Sequence, residues 1–281
     1  EQLEKIWQNS TDKKNPKIKF ELEKNYTNSD LGELEKLIQI EKTKYFEAKP
    51  SLATRQCSMA AIESISAILP QLIGGSADLS GSNNTKTKNH RIIKPGDFKG
   101  NYIHYGVREH AMCGIMNGLA LHSGLIPYGG TFLIFSDYCK PSIRLSAFMK
   151  QRVIYVMSHD SIGLGEDGPT HQPIEHIMAC RAIPNLLVLR PADANEAVVA
   201  SRIAFEQKNK PSIILLTRQG LPVLDRNEYA SAENFRKGGY VISDCESTPE
   251  ITIFATGSEV WLALDAKKQL SEYNIRVVNL G

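Results

Sequence analysis

The sequence has no long unbroken apolar run. Pro70, His122 and Pro127 interrupt its richest hydrophobic stretches, short of the roughly 20 residues that a membrane helix needs, so no membrane role is expected. Cysteine is sparse. The five present (Cys57, Cys113, Cys139, Cys180, Cys245) are odd in number, far apart and never in a CxxC pair, which argues against a disulfide framework and a zinc site. A reducing cytoplasmic setting fits. A charge excess is also missing: 33 Lys and Arg face 31 Asp and Glu, for a formal charge of +2. No nucleic-acid footprint is therefore expected, and any anionic ligand must be held by local groups. Neither an internal repeat nor a low-complexity tract is found.

The 281 residues are about twice a typical domain of roughly 150, which predicts two domains, or one and a fraction. Apolar residues at 42% and charged residues at 23% match a globular protein with a sizeable core. The chain starts at Glu1 without Met or a signal peptide. It stops at Gly281 just after the apolar Ile275–Leu280 run, where an α/β unit would continue, and so reads as a piece of a longer one.

Residues 1–50 hold ten Lys, ten acidic residues and no Arg, with few large apolar side chains apart from Trp7, Phe20 and the 31–40 stretch. They read as a linker with short helices. Residues 51–230 alternate β-rich apolar runs (71–73, 152–157, 186–189, 212–217) with helical patterns (54–69, 108–122, 142–150, 172–182, 194–207). That alternation predicts an α/β fold, a mostly parallel sheet with helices on both faces. Asp193 is an expected N-cap with Glu196 as its capping-box partner. A second, truncated α/β unit follows over 236–281.

In a parallel sheet ligands gather where strands end, so the loops after the apolar runs are the places to look. Gly74–Asn84 is rich in hydroxyls and backbone donors, either an anion loop or an ordinary turn. Ser158–Gln172 packs His159, His171 and the carboxylates Asp160, Glu166 and Asp167 among glycines, more titratable groups than a structural loop needs. The two histidines match no metal-ligand spacing, and no metal ligand is assigned to this chain. Glu109 opens a helix, where a glutamate commonly serves only the dipole. Phe132, Phe135 and Tyr138, at three-residue spacing, line one side of a helix or turn and read as core.

Seven ordered motifs then speak together: Ala53-Thr-Arg, Gly75-Ser-Ala-Asp-Leu, Tyr105-Gly-Val-Arg-Glu-His-Ala-Met, Tyr128-Gly-Gly-Thr-Phe, Gly165-Glu-Asp-Gly-Pro-Thr-His-Gln-Pro, Arg190-Pro-Ala-Asp and Leu216-Thr-Arg-Gln-Gly-Leu-Pro. Their order and spacing resemble the transketolase family from about residue 50 to the chain end, and Phe254-Ala-Thr-Gly-Ser-Glu-Val looks like the opening of that family's C-terminal domain. The resemblance implies that 51–230 is a pyrimidine-binding domain and 236–281 a partial C-terminal domain. It implies transfer of a two-carbon ketol unit between sugar phosphates, as in the pentose phosphate pathway, with thiamine diphosphate and Mg2+ or Ca2+.

By the same resemblance, Glu109 hydrogen-bonds a ring nitrogen of the aminopyrimidine, favouring the imino tautomer that deprotonates the thiazolium carbon. A carboxyl sharing a proton in this way is best kept from water, and the small residues after Glu109 suit a tight setting. Phe132, Phe135 and Tyr138 fall on the family's pyrimidine pocket, and Asp78 on a position near the cofactor. Arg55, Ser82, His159 and Arg218 fall around the substrate phosphate, Asp167 on a sugar hydroxyl and His171 at the reacting end. The Arg fork suits phosphate oxygens.

The family's Gly-Asp-Gly signature for the diphosphate and metal is not found here. The resemblance therefore implies half of an active site, completed by the diphosphate-binding domain of a partner subunit in a homodimer. The missing half is attributed to truncation, proteolysis or a split gene. Dihydroxyacetone synthase and deoxyxylulose-phosphate synthase relatives remain alternatives, as does a non-catalytic half-subunit.

Overall fold

A computed structural model describes residues 31–281, together with residues 2 and 5. The expected linker stretch up to residue 30, with Trp7 and Phe20, otherwise lies outside the described residues.

The rest of the expected linker, from residue 31 on, is not a run of short helices. It is one helix, α1 (Leu31–Ala48), whose Leu34, Ile38 and Tyr45 enter the main core. A face carrying apolar residues at positions 34, 38 and 45 has helical spacing and must be covered.

The first unit alternates as the sequence predicts. In order it contains α2 (Thr54–Ile68), β1 (Leu72–Ser76), the short α3 (Ser80–Asn83), β2 (Tyr102–His104), α4 (Glu109–His122) and β3 (Ile126–Phe132). These are followed by α5 (Ser136–Phe148), β4 (Ile154–Ser158), α6 (His176–Arg181), β5 (Leu187–Leu189), α7 (Ala194–Glu206) and β6 (Ser212–Leu216). The six strands form one parallel sheet in the order β2-β1-β3-β4-β6-β5. Alternate strand residues feed two cores. Ile154, Val156, Ile214 and Leu216 pack with α1, α2 and α7, while Tyr155, Met157, Ile213 and Leu215 pack with α4, α5 and α6. Helices thus cover both faces, as parallel sheets require.

The N-cap of α7 is Asp193, whose Oδ1 accepts from the Glu196 N–H at 2.8 Å. The capping box is not reciprocal: Glu196 Oε2 accepts from the Ala192 N–H instead, at 2.9 Å. Glu196 is drawn aside because it is fully buried and shared with Arg226, Tyr240 and Asn279.

The second unit holds β7 (Gly239–Ser243), β8 (Ile251–Ala255), α8 (Glu259–Gln269) and β9 (Ile275–Leu280). Its sheet order is β7-β9-β8, antiparallel at β7/β9 and parallel at β8/β9. Among the described residues no helix is long and apolar enough to cross a membrane.

Candidate active site

The expected loops converge at the carboxyl ends of β1, β3, β4 and β6. A reciprocal clasp brings the start of α2 to the end of β6. The Thr54 N–H donates to Thr217 Oγ1 at 3.0 Å, and the Thr217 N–H donates to Thr54 Oγ1 at 2.8 Å. Arg55 and Arg218, the next residue in each case, are thereby set together. Burial, then the positive charge of Arg218, lowers the Arg55 pKa, with Asp167 opposing. Arg55 Nη1 donates to the Ser82 carbonyl at 2.7 Å, while its buried Nε has no partner. Arg218 pairs with Glu166, and its Nε lies 3.5 Å from Asp167.

The Gly74–Asn84 segment is not a simple anion loop. Gly74 and Gly75 lie in β1, where a Cβ would meet the Tyr128 and Tyr105 rings at 2.3 and 2.2 Å. They are glycine for packing, and the segment's contribution here comes from Ser82 and Asn83.

His159 follows β4 with φ 59, a left-handed conformation that is uncommon outside glycine. Its ring is set by a relay: Ser76 Oγ donates to Asn83 Oδ1 at 3.0 Å, Asn83 Nδ2 donates to Ser158 Oγ at 2.8 Å, and Ser158 Oγ lies 2.9 Å from His159 Nδ1. With Asn83 supplying one hydrogen, the Ser158 hydroxyl is free to donate to Nδ1, which leaves the imidazole proton on Nε2. Nε2 faces Asp167 at 3.5 Å. Burial, then the Arg55 charge, pushes the His159 pKa down to about 4, so the ring is neutral near pH 7.

Phe132, Phe135 and Tyr138 do not share one helix face. They sit at the end of β3, in a 3-10 turn (Leu133–Phe135) and in the first turn of α5. Phe132 and Phe135 stack with centroids 5.7 Å apart, and Phe135 lies 6.0 Å from Tyr138. His159 stacks on Phe132 at 3.7 Å, and His171 meets Phe132 and Phe135 edge-on at 5.8 and 5.5 Å. The core reading holds for buried Phe132 alone, since Tyr138 is exposed.

Arg55, Ser82, His159, Asp167, His171, Arg218 and the three rings therefore form one connected group. Glu109 and Asp78 touch none of it directly. Glu109 is buried in the first turn of α4, yet among the described residues its carboxylate makes no hydrogen bond or ion pair. A capping role would show such a bond. It stands one turn before the buried Cys113.

The small residues after Glu109 do not enclose it. Ala111, Gly114 and Gly118 are exposed, and the buried neighbours are Met112, Cys113 and Met116, because a period of 3.6 residues puts the two sets on opposite faces. Asp78 is exposed in a left-handed turn, φ 62.

Among the described residues, the single cluster that could hold a metal ion is Asp137, Glu175 and His176, which includes neither of the two loop histidines. His176 Nε2 pairs there with Asp137 Oδ2 at 3.1 Å. Sequence reasoning missed the supports Thr54, Thr217, Ser76, Asn83 and Ser158. Of these, Thr54, Ser158 and Thr217 carried a signal, since each directly precedes a chosen residue.

Residues 50–223 match the family model "Transketolase, pyrimidine binding domain", and residues 238–280 match "Transketolase-like TK C-terminal domain". A transketolase of Aquifex aeolicus is 53% identical over 237 residues, covering 84% of this chain and 34% of that protein. A Pichia stipitis transketolase solved with sedoheptulose 7-phosphate is 47% identical at TM-score 0.78, covering 83% of this chain and 35% of that one. A split-gene transketolase solved as an inactive β4 tetramer is 29% identical at TM-score 0.65, covering 82% of this chain and 71% of that one. The chain spans about a third of the length of the curated relatives it matches.

Proposed function

The chain belongs to the transketolase family, and from that premise we propose that it supplies the pyrimidine-binding half of a site for ketol transfer between sugar phosphates. In this reading 51–230 is the pyrimidine-binding domain and 236–281 a partial C-terminal domain. The observation that carries it is the Arg55–Arg218 pair beside neutral His159, at the edge of an aromatic wall.

Two guanidiniums held together by backbone clasps repel each other unless an anion joins them. A sugar phosphate would do so, meeting the unpartnered Nε of Arg55 and taking the place of Glu166 on Arg218. Ser82 and the Nε2–H of His159 add donors. Asp167 accepts from a sugar hydroxyl, and His171, against Phe132 and Phe135, stands at the reacting end.

Glu109 and the rings fit the pyrimidine of thiamine diphosphate: a buried carboxylate lacking a protein partner, and flat apolar faces. When bound with Mg2+ or Ca2+, that cofactor supplies the carbanion chemistry. Glu109 shares a proton with a pyrimidine nitrogen, Phe132, Phe135 and Tyr138 keep water from the ring, and Asp78 lies at the cofactor's margin.

The diphosphate and metal are held by a diphosphate-binding domain of a partner subunit in a homodimer. The outward face of α4, with Ala111, Gly114, Ile115, Gly118 and Leu121 exposed, suits such close docking. Five free cysteines, four of them buried, suit a cytoplasmic enzyme.

The split-gene relative favours a second reading, in which the complementary half arrives as a separate chain and this one alone is inactive. One experiment serves both. The chain is mixed with a diphosphate-binding domain, thiamine diphosphate and Mg2+, and transfer from xylulose 5-phosphate to ribose 5-phosphate is followed. Turnover is expected only in the mixture, and Glu109→Gln should lower it by about 100-fold or more without changing the melting temperature. Undiminished turnover in that variant would overturn the proposal.

A further inference from the structure

Behind the candidate site one arginine ties three loops together. Arg190 follows β5 and is buried. Its Nε donates to Asp160 Oδ2 at 2.8 Å, its Nη1 donates to the Thr256 carbonyl at 2.9 Å, and the same Nη1 pairs with the Glu259 carboxylate. Asp160 is the residue after His159. Thr256 and Glu259 frame the turn from β8 into α8, in the second unit. Gly257 in that turn has φ 57, and a Cβ on it would lie 2.7 Å from Arg190 Nε. No other residue type fits between the turn and the guanidinium without displacing it.

Two physical facts give this contact reach. A guanidinium is a planar fork with fixed donor directions, so one side chain fixes the relative positions of all its acceptors. The Asp160 side chain is fully buried and its Oδ1 has no partner, so Arg190 is what makes its burial tolerable. Left-handed backbone at a non-glycine residue persists where the surroundings over-determine it. For His159 the flanking constraints along the chain are Ser158, through its hydroxyl relay, and the anchored Asp160.

We propose that Arg190 is a positioning residue: through Asp160 it holds His159 in place, and through Thr256 and Glu259 it makes that placement depend on the seating of the second unit. Its bearing on substrate rests on the reading of His159 as a phosphate-binding group. The mechanical coupling does not.

The test is hydrogen exchange on the chain as it stands, in wild type, Gly257→Ala and Arg190→Lys. Gly257→Ala leaves Asp160 and His159 unchanged in sequence and acts on them through the guanidinium, which the added Cβ would displace. In both variants the amides of residues 159–162 should exchange about tenfold faster, the scale of losing a hydrogen bond to a charged group. The His159 ring, followed by NMR, should titrate above its wild-type value of about 4. In the complemented enzyme the KM for the sugar phosphate should rise with kcat nearly unchanged, a split that a general loss of stability does not produce.

Wild-type exchange at 159–162 together with an unmoved His159 titration, in variants loosened only at 256–259, would overturn the proposal. Should both variants fail to fold, Glu259→Gln at the half-exposed end is expected to act in the same direction by about two- to threefold, and no change there overturns it equally. Absence of ketol transfer in complemented wild type would count against the function proposed above and leave the exchange result to decide the coupling.

Discussion

A histidine with left-handed backbone, beside two arginines and out of water, is an arrangement that folding must hold against its own preference. The consequence is a pH dependence with a definite sign. His159 titrates at about 4 in the folded chain against an ordinary 6.5. Between those values the unfolded chain binds the extra proton, so stability falls as pH is lowered from 6.5 toward 4. At pH 5 only part of that window has been crossed, so the loss relative to pH 7 is about 1–2 kcal/mol, less than the full shift would give. Urea unfolding at pH 7 and pH 5 should show this slope in wild type and not in His159→Gln. The density of titratable groups in Ser158–Gln172 made this loop legible from sequence. The positions of Arg55 and Arg218 were legible only through the resemblance, since the Thr54–Thr217 clasp that joins them spans 163 residues and leaves no periodic trace.

Elements with ordinary patterns were readable, and those whose residues serve close packing were not. β3 carries Gly129 and Gly130, poor strand formers, because a Cβ would lie 2.7 Å from the Met116 sulfur at one and 2.6 Å from Thr85 at the other. Short β2 was hidden for want of length. α5 begins at Ser136 rather than Ser142 and runs through Pro141, a residue that normally marks a boundary. The charged stretch ending near residue 50 concealed α1, since its apolar positions are few. They are nonetheless well buried, and Arg202 of α7 pairs with Glu35 of α1 at 2.6 Å. Leu34→Ala and Ile38→Ala are each expected to cost about 2–4 kcal/mol, measured by urea unfolding. Values near zero would mean that α1 is an appendage.

At the scale of the molecule, the two units share one continuous apolar core, and a buried polar cluster lies within their contact. Glu196 of α7 accepts from Asn279 Nδ2 at 2.9 and 3.0 Å, from Tyr240 Oη, and from Arg226, which also pairs with Asp193 at 2.9 Å. Such a cluster is exacting, because losing one member strands the rest. Glu196→Ala is expected to destabilise the chain by about 3–5 kcal/mol, far more than Tyr240→Phe at about 1 kcal/mol. Comparable losses in the two variants, read from chemical denaturation, would contradict a shared charge balance. Apart from the Asp193–Glu196 cap, none of this cluster was predicted, for its other members lie in the connector, β7 and β9 and share no local pattern. The small sheet carries a consequence of another kind. β8 lies at its rim with one ladder of N–H and C=O groups unclaimed among the described residues, and its Ile251-Thr-Ile-Phe-Ala run has neither the lysine nor the proline that usually blunts such a rim. Such a rim is a template at which further strands can add, whether from the same polypeptide or from a second copy.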